Sequence, residues 1–401
     1  MSETRWLGVG QSSEPPAFAA AEQAAIGALR GPDPKLLLVF CAASLDLQQV
    51  TAGVRAAAHA PTGAPASAPT PVPIVGCSTA GEIATDGPGD GGVVVLALGG
   101  PGFRVAVGAA EQASSRLREA GTQAAGCFEE LAAEGPDEHR ILLLLTDGLA
   151  GDQLEIVRGA YDVVGAEVPL VGGCAGDGLR MKQTLLIHDD RVLADAVIAV
   201  AIASDAPFGI GVRHGWRRVG EAMLVTASHG NRVHTLDDEP ALDVYLRRLA
   251  APEDAYRDPE AFTQFALTHP LGLSRRSGEE VRMVADADFD DRSIGCIAQV
   301  PQGGYAWMME GDDSSVLAAS DAACADALAG LGGHPPSGLI AFDCIARRGV
   351  LGDVGIRREI DRVVAHASGA PVAGFYTYGE IARTRGTGGF HNQTLVVLAI
   401  G

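Results

Sequence analysis

The chain lacks a long apolar run: the most extended one, between Asp195 and Asp205, is far too short to cross a bilayer as a helix. Its first residues, Met-Ser-Glu-Thr-Arg-Trp, have neither a basic n-region nor an apolar h-region, so no signal peptide is expected. Positive charge is short as well. Thirty Lys and Arg against 50 Asp and Glu leave a net charge of −20, which argues against a nucleic-acid or anionic-membrane partner. The seven cysteines form no CxxC pair and no zinc-like spacing, as expected of small buried residues in a reducing compartment. No CxxCH haem attachment, Walker loop, GxGxxG fingerprint or HExxH helix occurs, so classical nucleotide or metal catalysis has no signature here. These absences together predict a soluble cytoplasmic protein.

What the chain does have is a device used three times. Val75-Gly76-Cys77-Ser78-Thr79-Ala80-Gly81-Glu82-Ile83 has relatives at residues 170–178, containing Gly176-Asp177, and at residues 373–382, containing Gly379-Glu380-Ile381. An apolar run precedes each copy, at 37–40, 141–145 and 339–342, and a helix-period stretch follows that run. Another apolar run closes each unit, at 93–98, 197–203 and 395–400. Recurrence of whole surroundings is stronger evidence than any single motif. The predicted module is strand, helix, strand, Gly-acid turn, strand.

With 401 residues, 47% of them hydrophobic, the chain can bury large cores and form two or three domains. The fold class expected is α/β and α+β, a two-domain layered protein. Residues 1–205 carry two units in a layered α/β domain with a parallel-sheet signature. Residues 206–401 begin with short strands at Gly-containing turns, continue as α+β and end in the third unit. The Pro, Ala and Thr-rich stretch 60–73 reads as a solvated insertion.

Candidate chemistry gathers at a few places. In the Gly-acid turns, glycines let backbone amides approach a ligand, while Glu82, Asp177 and Glu380 accept from an ammonium or hydroxyl. Taken singly, each turn reads more simply as a tight bend whose acid caps the next element. The turn with Cys77, Ser78 and Thr79 superficially resembles a nucleophile elbow, but a Gly-rich bend follows it rather than a helix, and no His partner can be assigned. Arg213-His214-Gly215-Trp216-Arg217-Arg218 combines an imidazole, an aromatic and guanidinium groups that suit a carboxylate or haem propionates. It reads equally well as a solvated turn with Trp216 packed over a domain junction. Tyr376 and Tyr378 alternate and would share one strand face, and His391 and Asn392 lie just before the last strand.

Assembled in this order, these motifs resemble the FIST sensory family, with N-terminal and C-terminal FIST regions. The resemblance rests on residues 8–12 with the Ala-rich helix after them, 75–83, 172–177, His214-Gly215-Trp216, 270–273, 374–380 and 391–395. It implies an intracellular signal-input protein, not an enzyme, that binds a small ligand and acts on a separate partner such as a histidine kinase or cyclic-di-GMP enzyme. Proposed ligands of the family include amino acids or related metabolites. One branch resembles nitric-oxide-sensing haem proteins; the family's motif assigns no iron ligand here, and His214 or His391 is the candidate by position in its motif. The ligand-binding set expected is Cys77, Ser78, Thr79, Glu82, Gly176, Asp177, Arg213, His214, Trp216, Tyr376, Tyr378, Glu380, His391 and Asn392. Two other classes stand beside the sensor: a hydrolase or acyl-transfer enzyme using Ser78, and a purely structural interaction module.

Overall fold

The computed structural model describes residues 4–59, 71–131, 138–275, 278–384 and 388–401. The expected insertion at 60–73 lies outside them up to residue 70. The mixed α/β class is observed, and the repeated module is longer than the sequence suggests. Each unit opens with a further strand and helix: Trp6–Ser12 and Ala17–Ala28 in unit one, Phe103–Glu111 and Leu117–Ala125 in unit two, Phe208–Arg213 and Asp313–Ala329 in unit three. The expected strand, helix and strand follow as Pro34–Ala42, Leu47–His59 and Ile74–Thr79, then His139–Thr146, Gln153–Val164 and Leu170–Cys174, then Gly338–Cys344, Ile345–His366 and Val372–Thr377. Closing strands are Val93–Gly99, Ala196–Ser204 and Leu395–Ile400.

Each unit builds a mixed sheet. Only its two central strands pair in parallel, for example Phe40 opposite Cys77 and Phe342 opposite Phe375. The closing strand runs antiparallel because a hairpin reverses the chain before it. That hairpin does not stay at home. The strands Glu82–Ala84 and Gly87–Gly89 of unit one extend the sheet of unit three, where Ile83 faces Gly374. The pair Leu186–His188 and Arg191–Leu193 of unit two extends the sheet of unit one. Glu380–Arg383 and Phe390–His391 of unit three extend that of unit two. The exchange closes a ring across residue 205, which lies in the short link between units two and three.

Packing follows from this ring. The inner faces of all three sheets share one core containing Leu38, Phe40, Val75, Leu143, Leu145, Phe342 and Phe375. Phe375 touches both Phe40 and Phe342, with ring centroids 4.9 and 5.8 Å away. The helices cover the outer faces in separate cores, one per unit. Close helix–sheet approach depends on small residues: a Cβ on Gly211 would lie 1.8 Å from the carbonyl of Ala323.

Between the first strand and first helix of unit three, the chain makes an excursion. Eight strands between residues 217 and 310 form an antiparallel sheet that, with the helices Ala241–Arg248 and Pro259–Ala266, has its own core of Met223, Val225, Leu242, Tyr245, Phe262 and Met308. Trp216 marks the junction: it is buried, and its indole N–H donates to the Gln393 carbonyl at 3.0 Å. No helix among the described residues is long and apolar enough to cross a membrane.

Candidate functional site

The three Gly-acid turns meet at one end of the ring, beyond the carboxyl ends of the parallel strands, where α/β folds place their ligands. Backbone bonds lace them together. Gly176 N–H donates to the Ser78 carbonyl at 3.0 Å, Ala80 N–H to that of Tyr376 at 3.0 Å, and Cys174 N–H to that of Gly379 at 2.8 Å. Ser78 adds its hydroxyl, which donates to the Gly176 carbonyl at 2.8 Å and accepts from Leu185 N–H at 2.9 Å. Buried and doubly bonded, Ser78 acts as a latch between units one and two. No described hydrogen bond joins it to a base.

The acids divide into two kinds. Glu82 accepts from the Thr79 hydroxyl at 2.6 Å and from Gly92 N–H at 3.1 Å. Glu380 repeats this with the Thr377 hydroxyl at 2.5 Å and Thr394 N–H at 3.2 Å. Each carboxylate thereby ties its turn to the residue before the closing strand. Burial pushes Glu82 up to about 7 and Glu380 up to about 8, against the pull of these hydrogen bonds. Unit two has Cys174 in place of the threonine, and Asp147 takes over the task. It accepts from Asp195 N–H at 2.8 Å and from the Thr184 hydroxyl at 2.5 Å.

Asp177 is thus released for another role. Its side chain accepts from the amides of Met181, Lys182 and Gln183 at 2.9, 2.8 and 3.1 Å, and from the phenol of Tyr378. Burial raises its proton affinity, but these four donors outweigh burial and hold Asp177 below the usual carboxylate range. Tyr378 is pushed up to about 12 by burial and by Asp177 beside it. Its oxygen also accepts from Leu179 N–H at 2.8 Å.

Two cavities flank this pair. The smaller, about 300 Å³, includes Ser44, Thr79, Gly81, Glu82, Asp177 and Arg180 in its lining. The larger, about 610 Å³, is walled by Gly148, Gln153 and Arg158 of unit two, Asn231 and Ile297 of the inserted sheet, and Tyr378 of unit three. Its volume suits a small metabolite. Aliphatic and aromatic faces stand beside the Arg158–Glu155 pair, which is 2.5 Å apart.

Other expected site residues lie elsewhere. Cys77 is buried in the shared core. Arg213 is ion-paired with Asp326 at 2.6 Å, and Arg217 with Asp312 at 2.9 Å, so the basic cluster does not converge on an anion. Tyr376 and Tyr378 do not share a cavity. The strand ends at Thr377, and Tyr378 N–H then crosses to the Cys174 carbonyl; both rings touch the outer core of unit three, where Tyr376 is fully buried, and Tyr378 alone borders the larger cavity. Asn392 is buried behind the turn.

Haem fits poorly. His391 Nε2 is engaged with the Ala382 carbonyl at 2.9 Å, and burial lowers its proton affinity. His214 Nδ1 accepts from Trp216 N–H at 3.0 Å. Neither imidazole lines either of the cavities beside Asp177.

Family models for the FIST N domain and the FIST C domain match residues 35–239 and 241–383. The chain belongs to the FIST family. FIST domains are small-ligand-sensing domains of signal transduction. The chain is 29% identical to protein MJ1623 of Methanocaldococcus jannaschii over 131 residues, which is 30% of this chain and 25% of that protein. It is 27% identical to protein Rv0628c of Mycobacterium tuberculosis over 271 residues, 64% of this chain and 67% of the relative. Two solved enzymes show a loose likeness at 13% identity. A chorismatase covers 100% of this chain and 99% of its own at a TM-score of 0.38, and the cyanuric acid hydrolase of A. caulinodans covers 50% and 71% at 0.27. Scores this low carry no inference about chemistry.

The three turns were legible as one repeated device, but their meeting at one end of the ring was not, and Asp147, Gln153, Arg158 and Ile297 were missed. Asp147-Gly148 had a readable signal, an acid and a glycine directly after an apolar strand.

Proposed function

We propose that this FIST protein is a small-ligand sensor that regulates a separate signalling protein, such as a histidine kinase, and that the ligand occupies the larger cavity. One observation carries this reading: the cavity is walled by three parts of the chain, namely the turn and helix start of unit two, the inserted sheet and the turn of unit three. A molecule that touches all three favours one arrangement of the inserted sheet over others. Its differential affinity for those arrangements is then the signal a partner reads.

Amino acids and related metabolites are the ligand classes to test first. A carboxylate would meet Arg158, and an apolar side chain would lie against Ile297 and Phe390. The test is a thermal-shift screen of the common amino acids and simple amines on the wild type and on Ile297→Asp, which places a charge on the cavity wall. Stabilisation of the wild type that the variant loses supports the site. Equal stabilisation of both moves the ligand elsewhere.

A further inference from the structure

Between Asp177 and Thr184 the chain forms an exposed loop whose backbone is held in an unfavourable shape. Leu179 and Met181 are both non-glycine residues with positive φ, 66° and 51°, directly after Gly178 at 69°. Their side chains project into solvent at 62% and 56% exposure, so packing does not hold them there. Left-handed backbone at a leucine or methionine persists only where the surroundings impose it.

The imposing groups are few and known. Asp177 binds the amides of Met181, Lys182 and Gln183, and Tyr378 binds Leu179 N–H while donating to Asp177. Arg180 folds back onto the carbonyls of Asp177 and Ala43 at 2.7 and 3.1 Å. Four of the loop's amides therefore depend on one carboxylate–phenol pair. Tyr378 is also a wall residue of the larger cavity.

We propose that residues 178–183 are the output element of the sensor, latched by Asp177 and Tyr378 and released when an occupant of the cavity draws the Tyr378 hydroxyl away. The inference rests on the ligand reading above for its trigger, while the latch itself is independent of it. Release lets Leu179 and Met181 leave the left-handed region. It also changes how two exposed apolar side chains and Lys182 are presented to a partner. The inherited strain supplies the direction of the change.

The chain offers a selective probe, because its only lysines are Lys35 and Lys182. Lys35 lies in the strand Pro34–Ala42 and is paired with Asp33 at 2.7 Å. A lysine-specific endoprotease acting on the folded protein therefore reports opening of the loop through cleavage after Lys182. Tyr378→Phe should accelerate that cleavage roughly ten- to a hundredfold, the effect of losing a hydrogen bond to a charged acceptor. Asp177→Asn should do the same, and cleavage after Lys35 should not change in either. Unchanged cleavage in a folded Tyr378→Phe variant would overturn the latch.

Amino acids and amines added singly at millimolar concentration test the trigger. Acceleration in the wild type that Ile297→Asp abolishes supports control by the cavity. A compound that stabilises the wild type through the cavity yet leaves its cleavage rate unchanged overturns that control without touching the binding site. Faster cleavage in Tyr378→Phe with no response to any compound keeps the latch and rejects these ligand classes.

Discussion

Replacing Glu380 by glutamine removes a fully buried carboxyl whose charged form the fold disfavours. Burial pushes this carboxyl from an ordinary value of 4.5 up to about 8. Between those values the native state holds a proton that the unfolded chain has released. Stability therefore falls as pH rises from about 4.5 to about 8 and levels off above that. At roughly 1.4 kcal/mol per pH unit, the whole window amounts to a few kcal/mol. Glutamine keeps an oxygen to accept from Thr394 N–H and presents an amide to Thr377, as the neutral acid does. The variant should match the wild type within about 1 kcal/mol at pH 5 and exceed it by about 2 kcal/mol or more at pH 8. Urea unfolding of both proteins across pH 5 to 8 measures this difference. Parallel curves, or a variant weakened equally at every pH, would refute the reasoning and leave Glu380 without an electrostatic cost.

Arg347 lies fully buried between Asp343, at 2.8 Å, and Glu359. Arg347→Met leaves two buried carboxyls without their cation and should cost about 3–5 kcal/mol, read as a fall in urea midpoint. Ser78→Ala strips a buried acceptor from Leu185 N–H and a donor from the Gly176 carbonyl. It should lower stability by about 1–3 kcal/mol while leaving ligand affinity within about twofold, since its role is to join two units.

The repeated turns were readable because local sequence encodes them: glycines for tight backbone, an acid one step on, apolar runs on either side. What the chain does with them was not. Ile83 pairs with Gly374, and Ile381 with Gly172, and no local pattern states which distant strand a three-residue strand will join. The parallel-sheet signature was half right, because apolar strands covered on both faces look alike whichever way the closing strand runs. The excursion at 217–310 separated a strand from its helix and so hid the third unit's opening.

At the site, Asp177 and Tyr378 were among the expected residues, but their union was not foreseeable. It depends on Asp147 relieving Asp177 of the capping task that Glu82 and Glu380 perform in the other units. The Arg213 to Arg218 cluster drew attention by its composition. Each of Arg213 and Arg217 turned out to have its own carboxylate, the common fate of exposed guanidinium groups on an acidic protein.

The measurement that bears most directly on the sensor reading is isothermal titration of a compound found in the thermal-shift screen into three proteins: wild type, Ile297→Asp and Arg213→Ala. The account predicts stoichiometric binding to the wild type, at least about tenfold weaker binding to Ile297→Asp from loss of an apolar contact and addition of a charge, and unchanged binding to Arg213→Ala. Binding that survives in Ile297→Asp but is lost in Arg213→Ala would contradict it and move the ligand to the basic turn.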